Sequence, residues 1–287
     1  MPHDQPVVRV DSGDGHRFEL IDVCGRSVRR TLLMLPGMGI SARRYIAFAR
    51  RLADRGTRVL IHEWRGIGSS SMRATRSVNW GYRELIEFDL EASLATAVEL
   101  NEGDPAWLGG HSLGSQLSCL VAARHPERTA GLVLIAGGAP DVRAFPWHLS
   151  LALRIIFRTL PPLSAAVGYY PGKRLGFAGT EARGVMRDWA QTGLSGSYDL
   201  RSLQPGYEAR LAELAVPVLA MRMSEDWFVP PRSLESLLGR LGRGRIERVV
   251  IDAEQQGAPT DHFRWLKSPG ASATAIADWL DRQPENG

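Results

Sequence analysis

The chain has 287 residues, of which 44% are hydrophobic and 23% are charged, as expected for a globular protein with one large core. Its formal net charge is +4, but the basic residues are nearly all arginines and are scattered, which argues against nucleic-acid binding. The first residues lack a signal-peptide pattern, and two cysteines, Cys24 and Cys119, make no disulfide framework, so we expect a cytoplasmic protein.

Apolar runs and helical repeats alternate along the chain, after two N-terminal runs that are separated by a Gly-rich turn and predict an antiparallel pair. We predict strands at Val7–Val10, Arg17–Val23, Thr31–Leu35, Arg58–His62, Ala106–Gly109, Ala130–Ile135, Val216–Met221 and Arg248–Ile251. Helices are predicted at Ser41–Arg55 with Ser41 as N-cap, after Ser112, and at Tyr82–Leu100, Ser233–Leu241 and Ala271–Leu280, before a loose tail. This order predicts an α/β fold with an eight-stranded, mostly parallel sheet and helices on both faces.

One stretch breaks the alternation between strand and helix patterns. Roughly 65 residues separate two of the predicted strands, and a structureless loop of that length is uncommon inside a compact domain. The stretch is helical in pattern and rich in aromatic residues. We therefore predict a helical lid at residues 140–205, inserted into a core formed by residues 1–139 and 206–287.

The longest apolar region of the chain lies within this predicted lid. It runs from about Leu149 to Leu163, is interrupted by Arg154 and Arg158, and ends in two prolines. We therefore predict no membrane span and no integral membrane association.

A Gly-x-Ser-x-Gly pentapeptide, Gly110 to Gly114, stands between an apolar run and a helical pattern. On a sharp strand-to-helix turn the serine backbone is strained and its hydroxyl projects from the end of the sheet. The following helix directs free N–H groups and its positive end at a developing oxyanion. Side chains at Gly110 or Gly114 would collide with the crossing strand and helix. Ser112 is the candidate nucleophile.

A serine nucleophile needs a base to accept its proton, and the base needs an orienting group. Of the seven histidines, His262 is the one that follows the last predicted strand, where functional groups collect in an open α/β sheet. We predict His262 as the base. The other histidines are His3, His16, His62, His111, His125 and His148.

The candidate for the orienting acid is Asp226, which lies just past the strand Val216–Met221. There it would hold the imidazole and stabilise its cation. Four other acids remain as rivals: Glu225, Asp252, Asp261 and Asp141, the last at the end of the strand before the lid.

The chain order Ser, Asp, His, with each residue at a strand end, resembles the α/β-hydrolase superfamily over essentially the whole chain. The segment Leu35–Gly39 is similar to the superfamily's oxyanion turn, with Pro36 in place of the usual histidine. The segment Glu63–Ser69 is similar to the Asp-x-Arg-Gly-x-Gly-x-Ser loop of lidded hydrolases, with glutamate in place of aspartate. The resemblance implies that the backbone N–H groups of Met38 and Leu113 bind the oxyanion.

The lid segments Gly168–Phe177 and Asp188–Ala190 resemble a branch of predicted bacterial esterase-like and lipase-like hydrolases whose substrates are poorly defined. Residues 140–205 contain eight Lys or Arg residues and four acids, which indicates either a basic rim for anionic substrates or an ordinary solvated helix surface. Either way, the lid argues against an aminopeptidase, which would place acidic groups near a substrate ammonium.

The substrate pocket is predicted from apolar and aromatic residues around the site. The candidates are Gly37, His111, Trp147, Tyr169, Trp227 and Phe263.

The sequence predicts a serine hydrolase acting on a small-molecule carboxylic ester or thioester with a hydrophobic acyl group. We expect no metal and no organic cofactor, since the chain has no His-Glu-x-x-His, paired-Cys or Gly-rich nucleotide motif. Acyl transfer or cyclisation by the same triad, and ligand binding without hydrolysis, remain alternatives. The sequence leaves the oligomeric state open.

Overall fold

A computed structural model describes residues 5–284, so His3 and the end of the predicted tail lie outside the described residues. The strands are β1 Val7–Asp11, β2 Arg17–Val23, β3 Arg30–Leu35, β4 Thr57–Ile61, β5 Ala106–His111, β6 Thr129–Ile135, β7 Tyr169–Pro171, β8 Thr180–Ala182, β9 Pro217–Met223 and β10 Arg245–Ile251. Eight of them form one sheet in the order β1-β2-β4-β3-β5-β6-β9-β10, and β7 pairs with β8 in a separate hairpin. In the large sheet β1–β2 and β2–β4 are antiparallel and the other neighbours are parallel, which confirms the predicted sheet.

Both faces of the sheet are buried. Successive residues of an inner strand point to opposite sides, so each of these strands contributes side chains to two separate cores. In β3, Leu33 and Leu35 pack into one core cluster, while Leu32 and Met34 pack into the other. This is why these strands read as continuous apolar runs rather than as alternating patterns.

Helices cover each face of the sheet. They are α1 Ile46–Ala53, α2 Tyr82–Glu84, α3 Glu91–Glu99, α4 Leu113–Arg124, α5 Trp147–Val167, α6 Gly172–Leu175, α7 Arg183–Ser195, α8 Tyr207–Glu213, α9 Pro231–Leu238, α10 Ala253–Gln256 and α11 Gly270–Asp281. Buried residues of α1 and α11 share one core cluster, and those of α3, α4, α8 and α9 share the other. Between α2 and α3 the turns at Leu85–Leu90 are π-helical, so the predicted helix over 82–100 is continuous but locally underwound.

The predicted capping of the first long helix is wrong in its chemistry. The helix begins with a 3₁₀ turn at Ala42–Tyr45, and the Ser41 hydroxyl makes no capping bond. Instead the Glu63 carboxylate accepts the Ala42 N–H at 3.0 Å and the Ser41 hydroxyl at 3.3 Å. Burial raises the pKa of Glu63. A carboxylate distant in sequence thus satisfies the helix N-terminus that a local serine was expected to cap.

Between β6 and β9 the chain leaves the sheet and forms α5, the β7–β8 hairpin, α6 and α7. A small apolar cluster, centred on Phe157, Leu160 and Met186, packs α5 against α7. By length and composition α5 is the one helix of the described chain that could cross a membrane, and 17% of its apolar window is buried. A single helix of this kind is weak evidence for a membrane span.

Candidate active site

Ser112 lies on a strained turn between β5 and α4. Its backbone has φ 56° and ψ −116°, a region that residues with side chains rarely occupy. A Cβ on Gly110 would lie 2.2 Å from the Gly114 backbone, and one on Gly114 would lie 2.1 Å from the Leu35 carbonyl oxygen. The two glycines therefore allow β5 and α4 to meet closely enough to expose the Ser112 hydroxyl.

The loops after β9 and β10 bring an aspartate and a histidine to this hydroxyl. His262 Nε2 lies 2.9 Å from Ser112 Oγ, and His262 Nδ1 lies 2.8 Å from Asp226 Oδ2. Asp226 and His262 are 4% and 2% exposed, so bulk water competes little for these hydrogen bonds. His262 follows Ser112 by 150 positions and Asp226 by 36. The three residues meet because parallel strands end at one edge of the sheet.

Backbone contacts fix the orientation of the Asp226 carboxylate. Its Oδ1 accepts the N–H groups of Phe228 at 2.8 Å and Val229 at 2.9 Å, which leaves Oδ2 for His262. A carboxylate can only accept, so His262 carries its proton on Nδ1 and presents the Nε2 lone pair to Ser112. This arrangement can remove the proton from the serine hydroxyl.

The rival acids have other partners. Glu225 accepts the Thr260 N–H, Asp252 caps α10, and Asp261 accepts two N–H groups of the loop that follows it. Asp141 forms a two-pronged ion pair with Arg143. Of the five candidate acids, Asp226 is the one bonded to His262 within residues 5–284.

Two free N–H groups lie beside Ser112. Leu113 is the first residue of α4, whose N-terminus carries partial positive charge, and Met38 lies in the turn after β3. Both residues line the same cavity as Ser112, and neither backbone N–H has an acceptor in the described chain. Such donors are suited to an oxyanion.

A buried hydrogen-bond network supports the turn at Leu35–Gly39, the candidate oxyanion turn. The Gly37 N–H donates to Tyr45 Oη at 2.8 Å, and that hydroxyl lies 2.7 Å from His111 Nδ1. His111 Nε2 donates to the carbonyl oxygen of His262 at 2.9 Å. Burial lowers the pKa of His111 well below its usual value. The ring is therefore neutral, so that Nδ1 can accept the Tyr45 hydroxyl while Nε2 donates to His262. The oxyanion turn, the nucleophile turn and the base loop are thus connected through Tyr45 and His111.

We expect Tyr45→Phe to lower kcat by about 10–100-fold with little change in KM, because it leaves the Gly37 N–H and His111 Nδ1 unpaired. Steady-state kinetics on a chromogenic ester would measure this. Tyr82→Phe is the matched control, since Tyr82 is also fully buried but its hydroxyl has no partner among residues 5–284. A kcat equal to that of the wild type in Tyr45→Phe would show that the hydrogen bonds of Tyr45 do not position the turn at Leu35–Gly39.

The inserted segment also touches the oxyanion turn. A Cβ on Gly39 would lie 2.2 Å from the Gly179 nitrogen, so the two backbones are in direct contact. The Glu181 carboxyl accepts the Gly179 N–H at 3.2 Å, and burial raises the pKa of Glu181 to about 7. The position of the turn therefore depends on residues 178–181 as well as on Tyr45.

Above Ser112 lies a cavity of about 480 Å³ whose wall is mostly apolar. The inserted segment contributes much of the wall, through Leu149, Leu153, Ile156, Tyr170 and Trp189. Besides Ser112 and His262, the wall has the polar side chains of Gln116 and Ser233 and the polar-tipped rings of Tyr170, Trp189 and Trp227, and no acidic residue of the described chain lines it.

Of the predicted pocket residues, Gly37, Trp227 and Phe263 line this cavity, and the other three do not. His111 is fully buried behind Ser112, in the chain through Tyr45. Trp147 is 80% exposed on the outer side of α5. Tyr169 points away from the cavity, and its neighbour Tyr170 lines it instead, because adjacent residues of a strand face opposite sides.

Sequence reasoning missed Gln116 as a wall residue. It follows Ser112 by four positions in α4, and this spacing on a helix would have placed it on the same face. Its Oε1 accepts the Tyr198 hydroxyl at 3.2 Å.

A second Ser-His-Asp arrangement lies beneath the loop after β4. His16 Nε2 is 2.8 Å from Ser70 Oγ, and His16 Nδ1 is 3.0 Å from Asp89 Oδ1. However, Ser70 Oγ also bonds two backbone N–H groups and the Met72 carbonyl, and Asp89 receives the Arg65 guanidinium at 2.6 and 2.9 Å. The side chains of His16, Ser70, Asp89 and Arg65 are all buried, so the arrangement anchors the loop and is closed to a substrate.

The sheet order and the nucleophile turn after β5 are those of the α/β-hydrolase fold. The family model described as serine aminopeptidase, S33, matches residues 26–253, and the chain belongs to this family of α/β-hydrolases. It therefore has the α/β-hydrolase fold, which it shares with esterases of known structure.

Individual relatives are more distant. A putative non-heme haloperoxidase of Mycobacterium phage D29 is 32% identical over 136 residues, which are 47% of this chain and 46% of that protein. The chain thus matches less than half the length of that relative. A thermophilic esterase from Thermogutta terrifontis is 18% identical with a TM-score of 0.62, over 96% of this chain and 98% of that one. The N-acyl homoserine lactone degrading enzyme Est816 is 17% identical with a TM-score of 0.64, over 95% and 100% of the two chains. These two similarities show the fold alone.

Proposed function

We propose that this hydrolase is a serine esterase or thioesterase that cleaves a carboxylic ester or thioester with a hydrophobic acyl group. The observation that carries the proposal is the hydrogen bond of 2.9 Å between His262 Nε2 and Ser112 Oγ in the wall of an apolar cavity. Residues 140–205 act as the lid that closes the acyl side of this cavity.

The reaction begins when Ser112 Oγ attacks the carbonyl carbon and His262 Nε2 takes its proton. Asp226 stabilises the resulting imidazolium, while the N–H groups of Met38 and Leu113 bind the oxyanion. The bond to the leaving oxygen or sulfur then breaks, and His262 donates the proton to that atom. Water, deprotonated by His262, attacks the acyl-enzyme and releases the carboxylic acid.

The cavity wall supports an apolar acyl group and argues against aminopeptidase activity. A free N-terminal ammonium needs a counter-charge when it leaves water, and no carboxylate of the described chain lines the cavity. The description of the family model therefore does not carry over to the substrate of this chain.

Two alternatives share the same site. An alcohol or amine that replaced water in the second step would make the chain an acyltransferase or cyclising thioesterase. A site that binds acyl ligands without turnover would make it a ligand-binding protein.

The test is a series of p-nitrophenyl esters and acyl thioesters from acetyl to palmitoyl, with aminoacyl p-nitroanilides as controls. We expect kcat/KM to rise with each added methylene, by fourfold at most because burial of one contributes about 0.8 kcal/mol, until the cavity is filled. A preference for acetyl esters would contradict the acyl pocket, and faster cleavage of the anilides would favour an aminopeptidase. Turnover of no substrate in the series would favour the ligand-binding alternative.

A further inference from the structure

Helix α5 has a large apolar surface that faces outward. Six of its large hydrophobic side chains are between 39% and 80% exposed. We call this set the apolar face: Trp147, Leu149, Leu151, Ile155, Ile156 and Leu163. The described chain exposes thirteen large hydrophobic residues in all, so nearly half of them lie on this one helix. Such a concentration marks an interaction surface rather than scattered surface hydrophobics.

The apolar face extends around more of α5 than the cavity requires. Leu149 and Ile156 line the cavity, as a lid helix should. At 100° per residue, Trp147, Leu151 and Ile155 fall within a stripe of about 80° on another side of the helix, and none of them lines the cavity. A helix that is apolar on two sides is stable at the surface only if something apolar covers its outer side.

Two aromatic residues at the active-site cavity are exposed as well. Trp227 and Phe263 line the same cavity and are 73% and 48% exposed, so two aromatic rings face solvent at its edge. Tryptophan is favoured where an apolar phase meets water. Exposed apolar side chains are therefore present at the cavity as well as on the outer side of α5.

Two positive charges without an ion-pair partner among residues 5–284 lie on α5 itself. Arg154 and Arg158 lie on α5, which has no acidic residue, and neither forms an ion pair with residues 5–284. Of the four acids in residues 140–205, Asp141, Glu181 and Asp188 are at most 6% exposed. Asp141 and Asp188 pair with Arg143 and Arg187, so the net positive charge of the segment is carried by its other basic residues, among them Arg154 and Arg158.

We propose that α5 is an interfacial helix, which docks the protein on an anionic phospholipid bilayer. A helix with exposed Trp and Leu residues beside arginines fits a headgroup boundary, where the apolar side chains insert and the guanidinium groups meet lipid phosphates. In a two-fold dimer through the same face, the arginines of the two copies would be brought together and would repel. Binding does not need turnover, so the proposal is independent of the esterase reaction.

The experiment is co-sedimentation of the full chain with vesicles of phosphatidylcholine, with and without about 30 mol% phosphatidylglycerol. We expect the wild type to bind the anionic vesicles at least tenfold more tightly than the neutral ones. Arg154→Gln/Arg158→Gln should weaken anionic binding by roughly fivefold per arginine and reduce its salt dependence. Leu151→Gln/Ile155→Gln should weaken binding to vesicles by tenfold or more.

Val78→Gln/Val250→Gln is the matched control, because these two residues are also exposed but lie off α5. It should bind like the wild type, and all variants should show the thermal unfolding of the wild type. Absence of wild-type binding to anionic vesicles would overturn the proposal, as would full binding by Leu151→Gln/Ile155→Gln. A wild-type dimer in sedimentation velocity that this variant converts to monomer, without vesicle binding, would assign the face to a second copy instead.

Discussion

Ser112→Ala is expected to lower kcat for ester substrates by about 10⁴–10⁶-fold, the largest effect of any single substitution in this chain. Alanine removes the hydroxyl that lies 2.9 Å from His262 Nε2 and leaves the oxyanion donors and the cavity in place. The remaining activity would come from those donors alone. The wild type should also be labelled once by a fluorophosphonate, and Ser112→Ala should not be labelled, as measured by intact mass.

Ser70→Ala is the matched control, because within residues 5–284 Ser70 is the other serine that is bonded to a His-Asp pair. It should keep full labelling and kcat, since Ser70 is 5% exposed and its oxygen is occupied by loop contacts. Ser70→Ala should instead lower the free energy of unfolding by about 1–3 kcal/mol. Labelling of Ser112→Ala, or failure of the wild type to label, would refute Ser112 as the nucleophile.

Asp226→Asn is expected to lower kcat by about 10⁴-fold, a size typical of this substitution in a Ser-His-Asp triad. The N–H groups of Phe228 and Val229 hold the Oδ1 position, so they would select the amide oxygen of asparagine. The amide NH₂ would then face His262 Nδ1 and force the ring proton onto Nε2. A protonated Nε2 cannot accept the Ser112 proton, so the base would be lost without any change of shape.

Asp141→Asn is the control for this substitution, because Asp141 follows β6 as Asp226 follows β9 but pairs with Arg143 instead of His262. Its kcat should remain near the wild-type value. The assignment of the acid would be wrong if Asp141→Asn lost activity on p-nitrophenyl esters while Asp226→Asn kept it.

The fold was predictable because its signals are local. Apolar runs bounded by turn residues marked the eight strands of the sheet, and the order of strands and helices determined their parallel arrangement. The nucleophile turn was predictable for the same reason, since Gly110, Ser112 and Gly114 are adjacent in sequence. His262 and Asp226 followed from one rule, that loops after parallel strands meet at one edge.

Two features of the site could not be predicted from the sequence: which face of a helix or strand meets the cavity, and which distant segments contact each other. Periodicity shows that α5 is apolar, but not which of its apolar sides meets the cavity, and so Trp147 was misplaced. The same ambiguity of strand phase misplaced Tyr169 in favour of Tyr170. The roles of Tyr45 and Glu63 rest on contacts between distant segments, for which a single sequence carries no signal.

The backbone of Ser112 has a consequence for how stability and activity compete in this protein. A residue with a side chain at φ 56° and ψ −116° costs about 1–3 kcal/mol, and glycine would adopt this conformation more readily. Selection for thermal stability alone would therefore favour glycine at position 112 and eliminate the hydroxyl. A stabilised scaffold obtained from this chain by screening for heat resistance would tend to lose its nucleophile, unless activity were selected at the same time.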